Sequence, residues 1–228
     1  MENISISIIL LFIAATAFTV WQFYNASHKS KAVLIVVGSL LLMHTVLGLK
    51  GFYQQNMSLP PRFVFLVGPE LLIILILFIS KRGRAFIDGI DLQKLTLLHI
   101  VRVPVEITLY FLFVAGLVPI LMTFEGYNYD ILSGLTAPII YYVFFVIKKV
   151  NKTVLLIWNF VCLALLINIV TIALLSIETP FQKLAFDQPN VGVTLFPFVW
   201  LPGIIVPIVL FSHLVSIRQL TRSIGKQN

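Results

Sequence analysis

Cysteine is nearly absent. Cys162 is the single one in 228 residues, so no intrachain disulfide forms, and its place inside an apolar run makes it a small core residue. Charge is scarce too. Charged residues make up 11% of the chain, where a soluble domain carries roughly 25%. Acidic residues are the rarer sign, nine against sixteen Lys and Arg. These shortages exclude a soluble globular domain, a disordered chain, a coiled coil and a disulfide scaffold. Barrel strands are excluded as well, because the apolar runs lack alternation with polar residues. What is present is apolar: 59% hydrophobic residues and a mean hydropathy of +1.02. The chain reads as a membrane protein.

A crossing helix needs about 20 apolar residues to span a hydrocarbon core about 30 Å thick. Seven runs qualify: Ile4–Tyr24, Ala32–Phe52, Phe63–Ser80, Leu95–Leu121, Ile131–Ile147, Thr153–Ser176 and Leu195–Ser216. The longest interval between them, Ile177–Thr194, is too short for a separate domain. The expected fold is therefore all-α, a seven-helix transmembrane bundle forming one integral membrane domain over residues 1–228. Glu2 is the only charge before the first run and no small-residue cleavage pattern follows it, so that run reads as a retained helix.

The basic residues are placed unevenly. Twelve lie in the links on the C-terminal side: Lys29 and Lys31; Lys81, Arg82, Arg84 and Lys94; Lys148, Lys149 and Lys152; Arg218, Arg222 and Lys226. The opposite links carry Lys50, Arg62 and Lys183. This asymmetry predicts an outside N-terminus, a cytoplasmic C-terminus and a multi-pass protein of the cell membrane. The basic links would meet anionic headgroups of the bilayer. Nucleic acid is not an expected partner, since neither aromatic platforms nor a recognition element is visible. Within the links, Arg84–Lys94 is expected as a polar segment at the cytoplasmic surface. Phe181, Leu184 and Ala185 suggest a short amphipathic helix at the outer interface.

Ionisable side chains inside a bilayer cost about 2.5–3.5 kcal/mol each on the lenient insertion scale, so each one calls for a reason. Counting from the cytoplasmic ends, Glu70 lies roughly 15 Å deep, Glu106 roughly 16 Å and His44 roughly 18 Å. Three runs thus bring ionisable groups to one level. In the fourth run His99, Arg102, Glu106 and Tyr110 share one face at i, i+3 and i+7 spacing. Arg102 and Glu106 can pair at i,i+4, and Pro104 frees the Ile100 carbonyl for Arg102. His99, His213, Asn159, Tyr141 and Tyr142 form a second polar layer nearer the cytoplasm. Outside, Asp130 is an expected N-cap for the fifth run, and Glu125 and Asp130 also offer carboxylates to a cation or amine. His44, Glu70 and Glu106 would make a zinc site only if contact geometry brought them together. Prolines interrupt the fourth, fifth and seventh runs, the last at Pro197, Pro202 and Pro207.

Familiar catalytic signatures are missing. There is no H-E-x-x-H, no G-x-S-x-G and no Walker A loop, and the seventh run has no lysine for a retinal Schiff base. The stretches His99–Glu106, Met122–Pro138 and Leu195–Leu220 resemble those of uncharacterised bacterial integral membrane proteins with seven helices. The resemblance implies a small polytopic membrane protein and transfers no functional residue. The leading functional expectation is a receptor, sensor or transporter that binds a small polar or ionic ligand in an intramembrane cavity. Its ligand-binding residues would be Arg102, Glu106, Glu70, His44, His99, Tyr110, Asn159 and His213, with a separate output subunit as partner if it senses. Two alternatives remain: a structural subunit without ligand, and an intramembrane metal-dependent enzyme. No cofactor is indicated.

Overall fold

The computed structural model describes residues 4–55, 57 and 59–225; Glu2 and Lys226 lie outside them. The described residues form helices and no strands. The helices are α1 (Ile6–Ala26), α2 (Lys31–Leu49), α3 (Val64–Ile79), α4 (Lys81–Asp88), α5 (Leu92–Leu98), α6 (Arg102–Val114), α7 (Ile131–Tyr141), α8 (Lys152–Leu175) and α9 (Val206–Ile224). Polar residues set several starts by accepting the first free backbone donors. Asp91 Oδ1 accepts from Gln93 N and Lys94 N at 2.9 and 3.2 Å, and Asn151 Oδ1 accepts from Val154 N at 3.1 Å.

Five segments among the described residues are long and apolar enough to cross a membrane: Ile6–Ala26, Lys31–Leu49, Leu92–Val114, Lys152–Leu175 and Leu201–Ile224. A sixth appears if α3 and α4, bent by 92°, count as one. Two of the seven expected runs form shorter helices, so length and composition support five or six crossings. α3 has 16 residues, about 24 Å. It stops where Ser80 Oγ accepts the Gly83 N–H at 3.0 Å and starts α4, so the segment expected as a polar link is in part a helix. The fifth run gives α7 and then one wide turn, Tyr142–Val146. The last run also shifts. Residues 195–199 are not helical, a wide turn over Leu201–Ile205 absorbs Pro202, and α9 continues to Ile224. The helix expected around Phe181–Ala185 does not form. Ala185 sits at φ +54°, a conformation no α-helix contains, and the Lys183 and Leu184 N–H groups turn back to the Leu175 carbonyl.

The segment Leu201–Ile224, which ends in α9, is the most buried of the five and lies at the centre. Ile204, Ile205, Ile208, Val209, Phe211 and Val215 are buried there among residues of α1, α5, α6 and α8. In lipid no hydrophobic force drives helices together, so close packing and polar contacts must hold them. One set of polar contacts clasps one end. Arg218 of α9 donates to Asp88 Oδ1 at 2.9 Å and Oδ2 at 3.2 Å, and Arg222 bonds the same carboxylate. Gln219 reaches the Ile87 and Ile90 carbonyls at 2.8 and 2.9 Å, and Gln22 of α1 reaches the Lys94 carbonyl at 3.0 Å. Most of the basic links expected on one side meet at this end.

Two outcomes follow for the bend and its clasp. A Cβ on Gly83 would stand 2.2 Å from the Leu77 carbonyl oxygen, so Gly83→Ala should cost about 1–3 kcal/mol, read as a lower thermal midpoint in detergent. At Asp88, hydrogen bonding to Arg218 is the largest influence and holds the carboxyl below its ordinary value of 3.8, against partial burial and with Arg222 assisting. A carboxyl lowered on folding stabilises above its unfolded value and loses that contribution as pH falls through its folded one. The thermal midpoints of wild type and Asp88→Asn should therefore differ at pH 7 and converge below pH 3.8; a difference that persists in acid contradicts this.

Candidate functional site

Three buried polar groups stand in the bundle. The largest centres on Arg102, at the first turn of α6 and 3% exposed. Its Nη1 bonds the Asp130 carboxylate and donates to the Cys162 carbonyl at 3.3 Å. Its Nη2 donates to His213 Nε2 at 2.7 Å. An arginine only donates, so His213 Nε2 accepts, and His213 Nδ1–H then donates to Asn159 Oδ1 at 2.9 Å. The Asn159 amide donates in turn to the Leu155 carbonyl at 2.9 Å. His99 stacks on His213 with ring centroids 4.0 Å apart and planes 12° from parallel, and Trp158 stands beside both rings, at 5.6 Å from His99 and 6.1 Å from His213. His99 is fully buried and neither ring nitrogen has a partner. Side chains from α6, α7, α8 and α9 thus meet around one guanidinium.

Arg102 does not pair with Glu106, the i,i+4 partner its spacing suggests. Asp130, one residue before α7, takes the guanidinium instead, and its Oδ1 also accepts from Ser133 Oγ at 3.3 Å. This replaces the capping role expected of Asp130, for no side-chain bond caps α7. Glu106 forms the second group. Asn128 Nδ2 donates to both Glu106 oxygens at 2.6 and 2.7 Å, and also to the Met122 carbonyl at 3.0 Å. Glu106 and Asp130 share the wall of a small cavity, about 90 Å³, whose other lining residues are apolar except Asn190.

The third group is separate. His44 of α2 is fully buried. Its Nε2 lies 2.7 Å from Glu70 Oε1 of α3, and its Nδ1 lies 2.7 Å from the Tyr53 hydroxyl. A Cβ on Gly203 would come within 2.7 Å of the His44 ring, so only glycine lets the Leu201–Ile205 turn lie against it. Glu70 is 4% exposed, and its Oε2 is buried without a hydrogen-bond partner. It stands in the wall of a cleft of about 250 Å³ between α2, α3 and α9. Apart from Glu70 and Ser30, the lining is apolar or glycine.

The groups expected at one level therefore divide. His44 and Glu70 bond to each other, while Glu106 belongs with Asn128. Among the described residues no three His, Cys, Asp or Glu side chains are placed to hold a metal ion, so the triad of His44, Glu70 and Glu106 does not form. His99, Asn159 and His213 join Arg102. Tyr110 stacks on Phe124 at 5.1 Å, and Glu125 is exposed. Tyr141 packs against Phe145 and Tyr142 is exposed, so the second polar layer does not include them. Asn128 and Tyr53 went unread in the sequence. Asn128 carries a weak signal, as the one amide between two tyrosines just before Asp130. Tyr53 carries none, since it follows the end of α2 where helical spacing no longer applies.

The Arg102 group has a measurable consequence. Arg102→Met leaves the Asp130 carboxylate buried without its cation, and losing one partner of a buried pair costs about 3–5 kcal/mol. The double variant Arg102→Met/Asp130→Asn should recover a large part of that loss in a thermal-unfolding cycle in detergent micelles. Additive losses would show that the two side chains are not coupled.

Comparison with known proteins gives one match, to a family described as a domain of unknown function, DUF8737, over residues 59–221. That stretch holds α3 through most of α9, including Glu70 and the whole Arg102 group. No curated protein and no solved structure matches the chain. With well over half of its length matched, the chain belongs to the DUF8737 family.

Proposed function

We propose that this protein is an intramembrane binding protein of the receptor, sensor or transporter kind, and that its ligand occupies the cleft between α2, α3 and α9. The observation that carries the reading is the unpartnered Oε2 of Glu70, buried in the wall of that cleft. A buried polar atom without a partner costs about 1–3 kcal/mol, and more when charged, which a fold retains where a ligand supplies the missing bond. The cleft volume of about 250 Å³ suits a small ligand.

The position of the cleft indicates how such a ligand arrives. α2 and α3 each lean on the Leu201–Ile205 turn, and the His44–Glu70 hydrogen bond joins them to each other. Val36, in the cleft wall, is 43% exposed, and Leu72 and Ile76 of α3 face outward nearby. The mouth is thus apolar and faces the acyl chains. In this reading the protein is a multi-pass protein of the cell membrane with seven crossings, α3 and α7 being short ones. The basic end lies in the cytoplasm and the N-terminus outside. A sensor built this way acts through a separate output partner, for the links are short.

A structural reading has one observation of its own: the Arg102 group is closed almost entirely on itself, so that group holds helices rather than a ligand. It leaves the Glu70 cleft unexplained.

The test of binding is native mass spectrometry of protein released from nanodiscs of cell lipid. Wild type should retain a small molecule of defined mass, and Val36→Trp, which fills the mouth from an exposed position, should lose it. Protein that emerges empty in both forms contradicts the reading. Orientation is checked separately. Alkaline phosphatase fused after Tyr129 should be active and a fluorescent protein fused after Gly225 should light up; the reverse pattern inverts the topology.

A further inference from the structure

The cleft has two unlike ends. Antiparallel packing puts Leu40 of α2, Glu70 of α3 and Gly203 at one end, and Ser30, Leu77 and Phe211 at the other. Gly203 and Glu70 form the floor, and one turn beyond Leu40 the His44 ring lies behind it, against Gly203. Glu70 lies nine residues before the end of α3, about 14 Å from it along the axis. The polar atom is therefore deep, and the path to it is lined by Val33, Val37, Ile74 and Phe211. A ligand that fits must be apolar for most of its surface and must lead with its polar group.

The floor also decides what that polar group is. With Nε2–H of His44 donating to Glu70 Oε1, Nδ1 accepts from the Tyr53 hydroxyl. Oε1 is then satisfied and Oε2 is the atom left over. A bare carboxylate is costly in an apolar cavity, and a charged donor is the partner that offsets the cost best.

We infer that the cleft binds a compact lipophilic amine drawn from the bilayer, with its nitrogen on Glu70 Oε2. The inference rests on the binding function proposed above and names the ligand class of that same cleft. The amine binds as the ammonium it forms in water, and its N–H donates to Oε2 of the Glu70 carboxylate. The ammonium and carboxylate then neutralise each other inside an apolar wall. An alcohol offers a donor without charge, and a carboxylate meets Glu70 with a second charge of the same sign. A quaternary ammonium has no N–H to donate. The volume favours a compact body over a two-chain lipid.

The experiment uses the full chain in nanodiscs and 1-adamantylamine as the probe, with binding read by saturation-transfer NMR and by thermal shift. Expected is saturable binding of the amine, with 1-adamantanol and the adamantane carboxylate weaker by about tenfold or more. Glu70→Gln should abolish the preference for the amine, and Val36→Trp should block every probe. Because the probe series runs on wild type, the result does not depend on Glu70→Gln folding. Amine and alcohol binding equally, both blocked by Val36→Trp, would overturn the amine while leaving a binding cleft. Preference for the carboxylate would overturn it too. No saturable binding of any probe, joined to empty wild type in mass spectrometry, would remove the cleft reading itself.

Discussion

A guanidinium held in a lipid slab must find its counter-charge and its acceptors within the protein, and that requirement organises this bundle. Water supplies no acceptor at that depth, so the penalty for an unmatched Arg102 falls on the fold. The side chain meets it with a carboxylate beside α7, a carbonyl of α8 and an imidazole of α9. Three neighbours of α6 are thereby fixed in rotation as well as in distance. Apolar packing alone would specify this poorly, since one leucine face resembles another to lipid. The stabilisation is not simply the strength of an ion pair. Desolvating two charges costs several kcal/mol each, and good geometry with extra hydrogen bonds is what recovers it.

The His44 group follows the opposite logic. In the Arg102 group Asp130, His213 and Asn159 all have partners, and its unmet atoms are Arg102 Nε and the His99 ring nitrogens. In the His44 group the chain from Tyr53 through His44 to Glu70 ends on an oxygen that nothing completes. The two also differ in setting. His99 and Arg102 lie inside closely packed walls, with rings at 4.0 and 5.6 Å, whereas Glu70 borders open volume. An unmet group in a packed wall weakens the fold. The ligand proposed above would complete the second kind, whose residue lines a cavity.

How far the sequence foretold this varies with the range of the interaction. Composition and run length report on each residue's own solvation, so the membrane class and the five long helices were legible. The buried ionisable residues stood out for the same reason. Pairing was legible only locally. Spacing brought Glu106 to Arg102, but a contact 28 residues away, to Asp130, displaced it. Nothing short of the fold places Asp130 there, because a loop residue has no period. Helix ends are not legible where one backbone conformation decides them. Ala185 at positive φ ends any helix through Phe181–Ala185, and the Ser80–Gly83 bond ends α3 inside an apolar run. Depth counting put His44, Glu70 and Glu106 on one level, yet depth says nothing about azimuth. Two of the three face each other and the third faces Asn128.

Azimuth and length together also explain why the cleft lies between α2 and α3. A helix of 16 residues spans about 24 Å and is shorter than the hydrocarbon core of about 30 Å, so it cannot run alongside a full-length neighbour over its whole course. α3 adapts by ending at the sharp bend to α4, where Gly83 lets the two backbones touch. Pro69 stands inside α3, immediately before Glu70, and removes the backbone donor that would bond the Phe65 carbonyl. The supporting partner for both α2 and α3 is then the wide turn at Leu201–Ile205, whose Gly203 accepts the His44 ring against its backbone. A short helix, a proline and a turn with glycine at its contact point meet in the same place, and Glu70, whose Oε2 is unsatisfied, lines that space. Each feature alone has a structural explanation. Their coincidence around one apolar volume, in a bundle that elsewhere meets most of its polar needs, is what distinguishes this cleft from ordinary loose packing.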